Sequence, residues 1–206
     1  MIKLSNDNSQ CSSKDLRHED LSTLQRILLG SDGTMTNLLE ELSKEELQAH
    51  KIFEEVSASE SDVPQLSLVS GQQLWHRIIT LQGKRTGIHY LYAESLIAPD
   101  NLDLDFAEKL LNTNTPIGKI WDLFKVETYK SLVSWGEERA GDIAKYFRIP
   151  SDQLLLYRTY RVFSQKKPVM QVTEKFPRQW FQNASEPITV VHVPSTSVRP
   201  SQSHRQ

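Results

Sequence analysis

LLLYRTYRVFS (154–164), QK (165–166) and KPVMQVTEKF (167–176) follow one another without a break, and their reading decides the fold. Each outer run alternates apolar and polar side chains at a period of two, the mark of a strand with one buried face. Only two residues separate the runs, which leaves room for a tight turn and nothing more. Leu154 to Ser164 and Lys167 to Phe176 are therefore expected to pair as antiparallel neighbours across Gln165-Lys166.

Moving outward, residues 73–82 set Trp75, Arg77, Ile79 and Leu81 against Leu74, His76, Ile78 and Thr80, which predicts another strand. Gln82-Gly83-Lys84-Arg85 turns the chain into a β-rich run from Thr86 to Ile97, and residues 48–56 and Val126 to Trp135 also read as extended. Helical spacing of Leu21, Leu24, Ile27 and Leu28 predicts a helix over 20–29 with Gly30 as its C-cap. Thr36 is expected to cap a short second helix bearing Leu38, Leu39 and Leu42, with residues 31–35 as the connecting loop. Phe106, Leu110 and Leu111 share one face of a helix over 103–112. Thr115-Pro116-Ile117-Gly118 opens the next, with Thr as N-cap and Pro at the first helical position; 140–147 is a further short helix. Hairpin-joined strands with helices inserted between them define an α+β domain: a mainly antiparallel β-sheet with flanking helices. The domain is expected over 19–181, after a disordered segment at 1–18 and before a flexible tail at 182–206 that is rich in Pro, Ser, His and Arg.

Composition narrows the function. The chain has 206 residues, 24 Lys+Arg and 26 Asp+Glu, so its net charge of -2 supplies no summed positive field for a phosphate backbone. Nucleic acid is not an expected partner, and the cluster Arg158, Arg161, Lys166 and Lys167 reads as alternating charges on an exposed strand face. No run of apolar residues is long enough for a membrane span, and the first 20 residues lack the apolar stretch of a signal peptide. The single Cys11 then reads as a thiol in a reducing compartment, which predicts a cytoplasmic protein. Six scattered His residues, with neither His76 nor His89 at ligand spacing to a partner, predict no metal and no cofactor. Asn183-Ala184-Ser185 matches a glycosylation acceptor, but without a secretory signal the match carries no weight.

Two charged residues break the apolar phase of their strands. Glu174 falls on the face of Met170, Val172 and Phe176, where desolvation would fit it to proton transfer; an edge-strand carboxylate reaching solvent is the alternative. Arg77 lies in phase with Trp75, Ile79 and Leu81, where its forked donors suit a carboxylate ligand; a structural salt bridge or a snorkelling side chain is the alternative. The helix start at Ile117 and Gly118 offers backbone amides that attract anions, although most helix starts meet only water.

Five short motifs in order carry a resemblance: Asp32-Gly33-Thr34-Met35-Thr36, Leu74-Trp75-His76-Arg77-Ile78-Ile79-Thr80-Leu81, Thr115-Pro116-Ile117-Gly118, Lys167-Pro168-Val169-Met170 and Thr173-Glu174-Lys175-Phe176-Pro177. Together they resemble the chorismate pyruvate-lyase family, over roughly 20–181. Tyr92-Ala93-Glu94-Ser95 and Arg158-Thr159-Tyr160 fit the branch found in cyanobacteria and some plastid genomes. The resemblance implies elimination of pyruvate from chorismate to give 4-hydroxybenzoate for quinone, notably plastoquinone, biosynthesis. It implies a chorismate lyase-like fold, no cofactor, a monomer, and a cytoplasmic or plastid-stromal location. It also implies that Glu174 is the acidic catalytic residue and Arg77 the substrate-binding cation, with backbone amide contacts from Met35 and Ile117. On this view Arg77 clamps one carboxylate, the Ile117 amide takes the other, and Glu174 serves as general acid or proton relay. The competing reading is a non-catalytic sensing domain related to the ligand-binding domains of regulators. Those domains normally follow a helix-turn-helix, whereas only about 18 polar residues precede the first helix expected here.

Overall fold

The computed structural model describes residues 18–32 and 34–182. The expected terminal segments, apart from His18 and Gln182 at their inner ends, lie outside this range, as do Cys11 and the Asn183 motif. The hairpin forms as its pattern demands: β5 (Leu154–Ser164) and β6 (Lys167–Pro177) pair antiparallel, closing at Ser164 opposite Lys167. Gln165 and Lys166 both take positive φ, 50° and 65°, as a two-residue turn matched to the strand twist requires. Neither is Gly, so each costs about 1 kcal/mol or more in backbone strain, which the long ladders on either side offset.

The other strands are β1 (Leu47–Ala58), β2 (Gln73–Gly83), β3 (His89–Ile97) and β4 (Tyr129–Arg139). All six form one antiparallel sheet in the order β1-β2-β3-β6-β5-β4. Two three-stranded meanders are thus joined where β3 meets β6, which puts the last strand of the described residues at the centre of the sheet. β4 begins later and ends later than expected. The Val126 amide still bonds to the Trp121 carbonyl and so belongs to the turn that ends the preceding helix.

The helices are α1 (Thr23–Gly30), α2 (Met35–Ser43), α3 (Leu104–Asn112), α4 (Ile117–Phe124) and α5 (Ala144–Phe147). Three cap assignments change. Gly30 is the last helical residue of α1, and Ser31 caps it. α2 starts at Met35 with Thr34 as N-cap, which leaves Thr36 inside the helix and buried. In α4 the N-cap is Pro116, whose carbonyl accepts from the Lys119 and Ile120 amides. α1 starts on a capping box in which Ser22 and Gln25 satisfy each other's amides. The same two side chains bond to the carbonyls of Phe181 and Arg178, pinning α1 to the chain just after β6.

Helices α1 to α4 bury one sheet face. Leu28, Leu39, Phe106, Leu110 and Ile120 pack there against Trp75, Ile79, Leu91, Val162, Met170 and Phe176. Phe106 stacks on Trp121 at 4.1 Å between centroids, locking α3 to α4 at a gain of about 1 kcal/mol beyond burial. The opposite face is covered more thinly, by Ala144 and Phe147 of α5 against Tyr92 and Leu155. The one-sided load explains the alternation legible in the strands.

Candidate functional site

The four-helix face holds the charged residues. Arg77 and Glu174 both point into the main core layer, at 2% and 6% exposure, in rows with their expected apolar neighbours. β6 is an interior strand, so the edge-strand alternative for Glu174 does not apply. β2 and β6 are separated only by β3, which sets the two backbones roughly 10 Å apart across the sheet. Ala93 stands between Ile79 and Glu174, and Ser95 between Arg77 and Val172, so small residues open the surface between the two charges.

Glu174 is held on both oxygens. Arg158 Nε donates to Oε2 at 2.7 Å and the Tyr160 hydroxyl donates to Oε1 at 2.9 Å. Two donors leave Glu174 an acceptor on both oxygens. Arg158 also donates through Nη1 to the carbonyls of Ser31, at 2.6 Å, and Leu29, at 3.4 Å. One guanidinium thereby ties the central carboxylate to the connection from α1 to α2. Burial works against the Arg158 cation, but Glu174 and Tyr160 more than compensate and its pKa lies above the ordinary value. Burial and the adjacent Glu174 charge push the Tyr160 phenol well above its usual range, so it remains a donor.

This overturns the exposed-face reading of the basic cluster. Arg158 is 2% exposed, whereas Lys166 and Lys167 do face solvent. The signal was in the pattern, since Leu156, Arg158, Tyr160 and Val162 are in phase, as Arg77 is in its own strand.

Arg77 has met a carboxylate as well. Its Nε lies 3.1 Å from Glu54 Oε1 on the neighbouring strand, so the salt-bridge alternative holds for the ligand-free protein. The alignment is poor, and among the described residues Arg77 Nε and Nη2 have no hydrogen-bond partner although both are buried. Glu54 is shared with Lys51, whose Nζ donates to Oε2 at 2.8 Å. Burial lowers the Arg77 pKa and Glu54 offsets only part of it. Such a guanidinium is under-compensated, and an acceptor arriving in its plane would satisfy it.

Met35 and Ile117 are the first residues of α2 and α4, where amides lack intrahelical partners. The two helix starts touch. A Cβ on Gly118 would fall 2.1 Å from Thr34 Cγ2, so the Gly of the Thr-Pro-Ile-Gly motif is required by this approach. The Ala49 amide bonds to the Asn114 carbonyl at 2.8 Å, which sets the start of α4 over the β1 edge of the sheet. Lys119 to Glu40, at 2.6 Å, and the Leu47 amide to the same Glu40 oxygen, at 2.7 Å, fasten α2, α4 and β1 together.

A third cation escaped the sequence reading. Lys130 pairs with Val162 on the core-facing row of β4 and β5, and its Nζ lies 5.5 Å from the centre of the Tyr160 ring. Among the described residues no group of three His, Cys, Asp or Glu could hold a metal ion, and no helix is long and apolar enough to cross a membrane.

A six-stranded antiparallel sheet with helices over one face, enclosing arginines and a carboxylate beside paired helix starts, is an α+β fold that solved structures of transcriptional regulators share. PhnF from Mycobacterium smegmatis superposes with a TM-score of 0.57 at 8% identity, over 80% of this chain and 70% of that one. The C-terminal domain of histidine utilization repressor from Pseudomonas syringae pv. tomato gives a TM-score of 0.50 at 15% identity, over 65% and 92%. Sequence takes the comparison further: residues 28–183 match the family described as chorismate pyruvate-lyase Rv2949c-like, and the chain belongs to that family. The chorismate pyruvate-lyase of Mycobacterium tuberculosis is 31% identical over 180 residues, 85% of this chain and 90% of that protein. That of Mycobacterium leprae is 30% identical over 174 residues, 82% and 83%.

Proposed function

We propose that the protein is a chorismate pyruvate-lyase. It cleaves the enol ether C–O bond of chorismate, with loss of the hydrogen on the hydroxyl-bearing ring carbon, to give 4-hydroxybenzoate and pyruvate. The observation that carries this reading is the clustering, in a member of this family, of Arg77, Glu174 and the starts of α2 and α4 on one buried sheet face. Aromatisation makes the elimination strongly downhill, so the protein's task is to bind a dianion, exclude water and move one proton.

Arg77 binds a substrate carboxylate, the Met35 and Ile117 amides support it from the adjoining helix starts, and a ligand oxygen takes up the donors that Glu54 leaves unmet. Glu174 accepts on both oxygens, which suits it to receive the departing ring proton and return it to the methylene carbon of the enolpyruvyl fragment. The relay role is therefore favoured over that of initial acid. The likeness to the cyanobacterial and plastid branch supports plastoquinone as the destination of the product, in a cytoplasm or plastid stroma, and the enzyme acts as a monomer without nucleic acid.

The test is incubation with chorismate, following pyruvate through lactate dehydrogenase and 4-hydroxybenzoate by chromatography. Equal amounts of the two are expected. The fold shared with regulators favours a second reading, a sensing domain, for which the same experiment would give binding without turnover. Pyruvate without matching 4-hydroxybenzoate would identify a different elimination.

A further inference from the structure

Chorismate carries two carboxylates, and its cleavage sends one into each product. The ring carboxylate stays with the aromatic acid, and the other leaves with the three-carbon fragment. Arg77 and the helix starts of α2 and α4 gather toward the β1–β2 side of the sheet, where the Ala49 to Asn114 bond holds the start of α4. They make one anion-binding pole. A dianion lying across Glu174 needs another on the far side.

Lys130 occupies that position. β4 lies two strands from β6 on one side, as β2 does on the other, so Glu174 stands between the strand of Arg77 and the strand of Lys130. The lysine stem runs along the core-facing row, and its ammonium sits over the ring of Tyr160, whose hydroxyl holds Glu174. Burial lowers the Lys130 pKa; Glu174 opposes that shift, Arg158 adds to it, and Asp32 and Asp122 oppose it. The ammonium therefore lies within the field of the catalytic carboxylate.

We propose that Lys130 is the receptor for the substrate carboxylate that leaves with the three-carbon fragment. The inference rests on the lyase reading. It makes Lys130 a specificity residue that distinguishes the dicarboxylate substrate from the monocarboxylate aromatic product. Asp32, in the connection from α1 to α2, and Asp122, near the end of α4, stabilise the ammonium before substrate arrives.

The experiment compares wild type, Lys130→Met and Lys130→Arg. Each is titrated calorimetrically with 4-hydroxybenzoate and with 3-(1-carboxyethoxy)-4-hydroxybenzoate, an aromatic dicarboxylate that cannot eliminate, and KM for chorismate is measured in parallel. Lys130→Met is expected to weaken the dicarboxylate and raise KM by tenfold or more while leaving 4-hydroxybenzoate affinity within twofold. Lys130→Arg should restore most of the loss. Equal weakening of both ligands, or weakening of neither, overturns the proposal while the lyase reading stands. A wild-type protein that neither binds nor turns over chorismate overturns the lyase reading and this assignment with it.

Discussion

Two arginine–glutamate pairs, each with a buried arginine, share one face of the sheet, and they are built differently. Arg158 and Glu174 sit on interior strands at 2.7 Å, with Tyr160 on the second carboxylate oxygen and the carbonyls of Leu29 and Ser31, at the end of α1, on Nη1. Arg77 and Glu54 lie at 3.1 Å without hydrogen-bond alignment, and Glu54 belongs to the edge strand β1. Burying an ion pair recovers its desolvation cost only when geometry and further hydrogen bonds are good. The first pair meets that condition with one nitrogen, Arg158 Nη2, left over; the second does not. The lesson is one of geometry: the well-bonded pair holds Glu174 in place, and the ill-bonded pair leaves donors of Arg77 unmet, which under the proposed lyase function are the donors a ligand would take up.

The comparison can be broken most directly through stability. Arg158→Ala would leave Glu174 buried without its cation and release the Leu29 and Ser31 carbonyls, a loss of about 3–5 kcal/mol read from chemical denaturation. Arg77→Ala should cost less than half as much, since Glu54 keeps Lys51 as a partner. Equal losses would show that the two pairs are equivalent.

Ligand binding reverses the order. Arg77→Ala should weaken substrate and product alike by about 2–4 kcal/mol, because each loses a charge-assisted contact. Calorimetry with 4-hydroxybenzoate checks this, and unchanged affinity would reduce Arg77 to a structural role. Glu174→Gln preserves shape but cannot cycle a proton, so turnover should fall about 100-fold with a smaller change in product affinity. A folded variant with near-wild-type turnover would assign Glu174 to binding or packing alone.

The smallest effect is expected away from both pairs. His89 bonds to the Thr80 hydroxyl at 2.6 Å, and burial, with help from His50 and Arg148, lowers its pKa. Between that lowered value and the ordinary pKa near 6.5 the unfolded chain binds more protons than the folded one. The contribution of His89 to stability is thus present above about pH 6.5 and falls as pH drops through that window. His89→Gln should flatten the dependence of Tm between pH 7.5 and 5.5, while an unchanged slope would place the titration elsewhere.

Much of the site was legible because it obeys strand parity. Arg77 and Glu174 announce themselves by falling in phase with Trp75 and Ile79, and with Val172 and Phe176, and the structure buries both. Arg158 obeys the same rule on β5, but nearby Arg161, Lys166 and Lys167 make the segment look like a solvated basic face. Its carbonyl partners at the end of α1, Leu29 and Ser31, lie 129 and 127 residues away in the chain, beyond the reach of any local pattern. Lys130 went unnoticed for a related reason: β4 is an edge strand with Leu132 and Val133 exposed, so its alternation is weak.

By itself the sequence determined the strands, the hairpin, the helical segments and the inward phase of two charges, because periodicity and turn chemistry act over a few residues. Only the tertiary structure decided that β3 pairs with β6, that α2 and α4 start against each other, and that Glu174 stands between cations on both sides. Those outcomes depend on how whole sheet faces and helix layers bury one another, and that free energy belongs to the assembled domain, with no share of it readable from one segment.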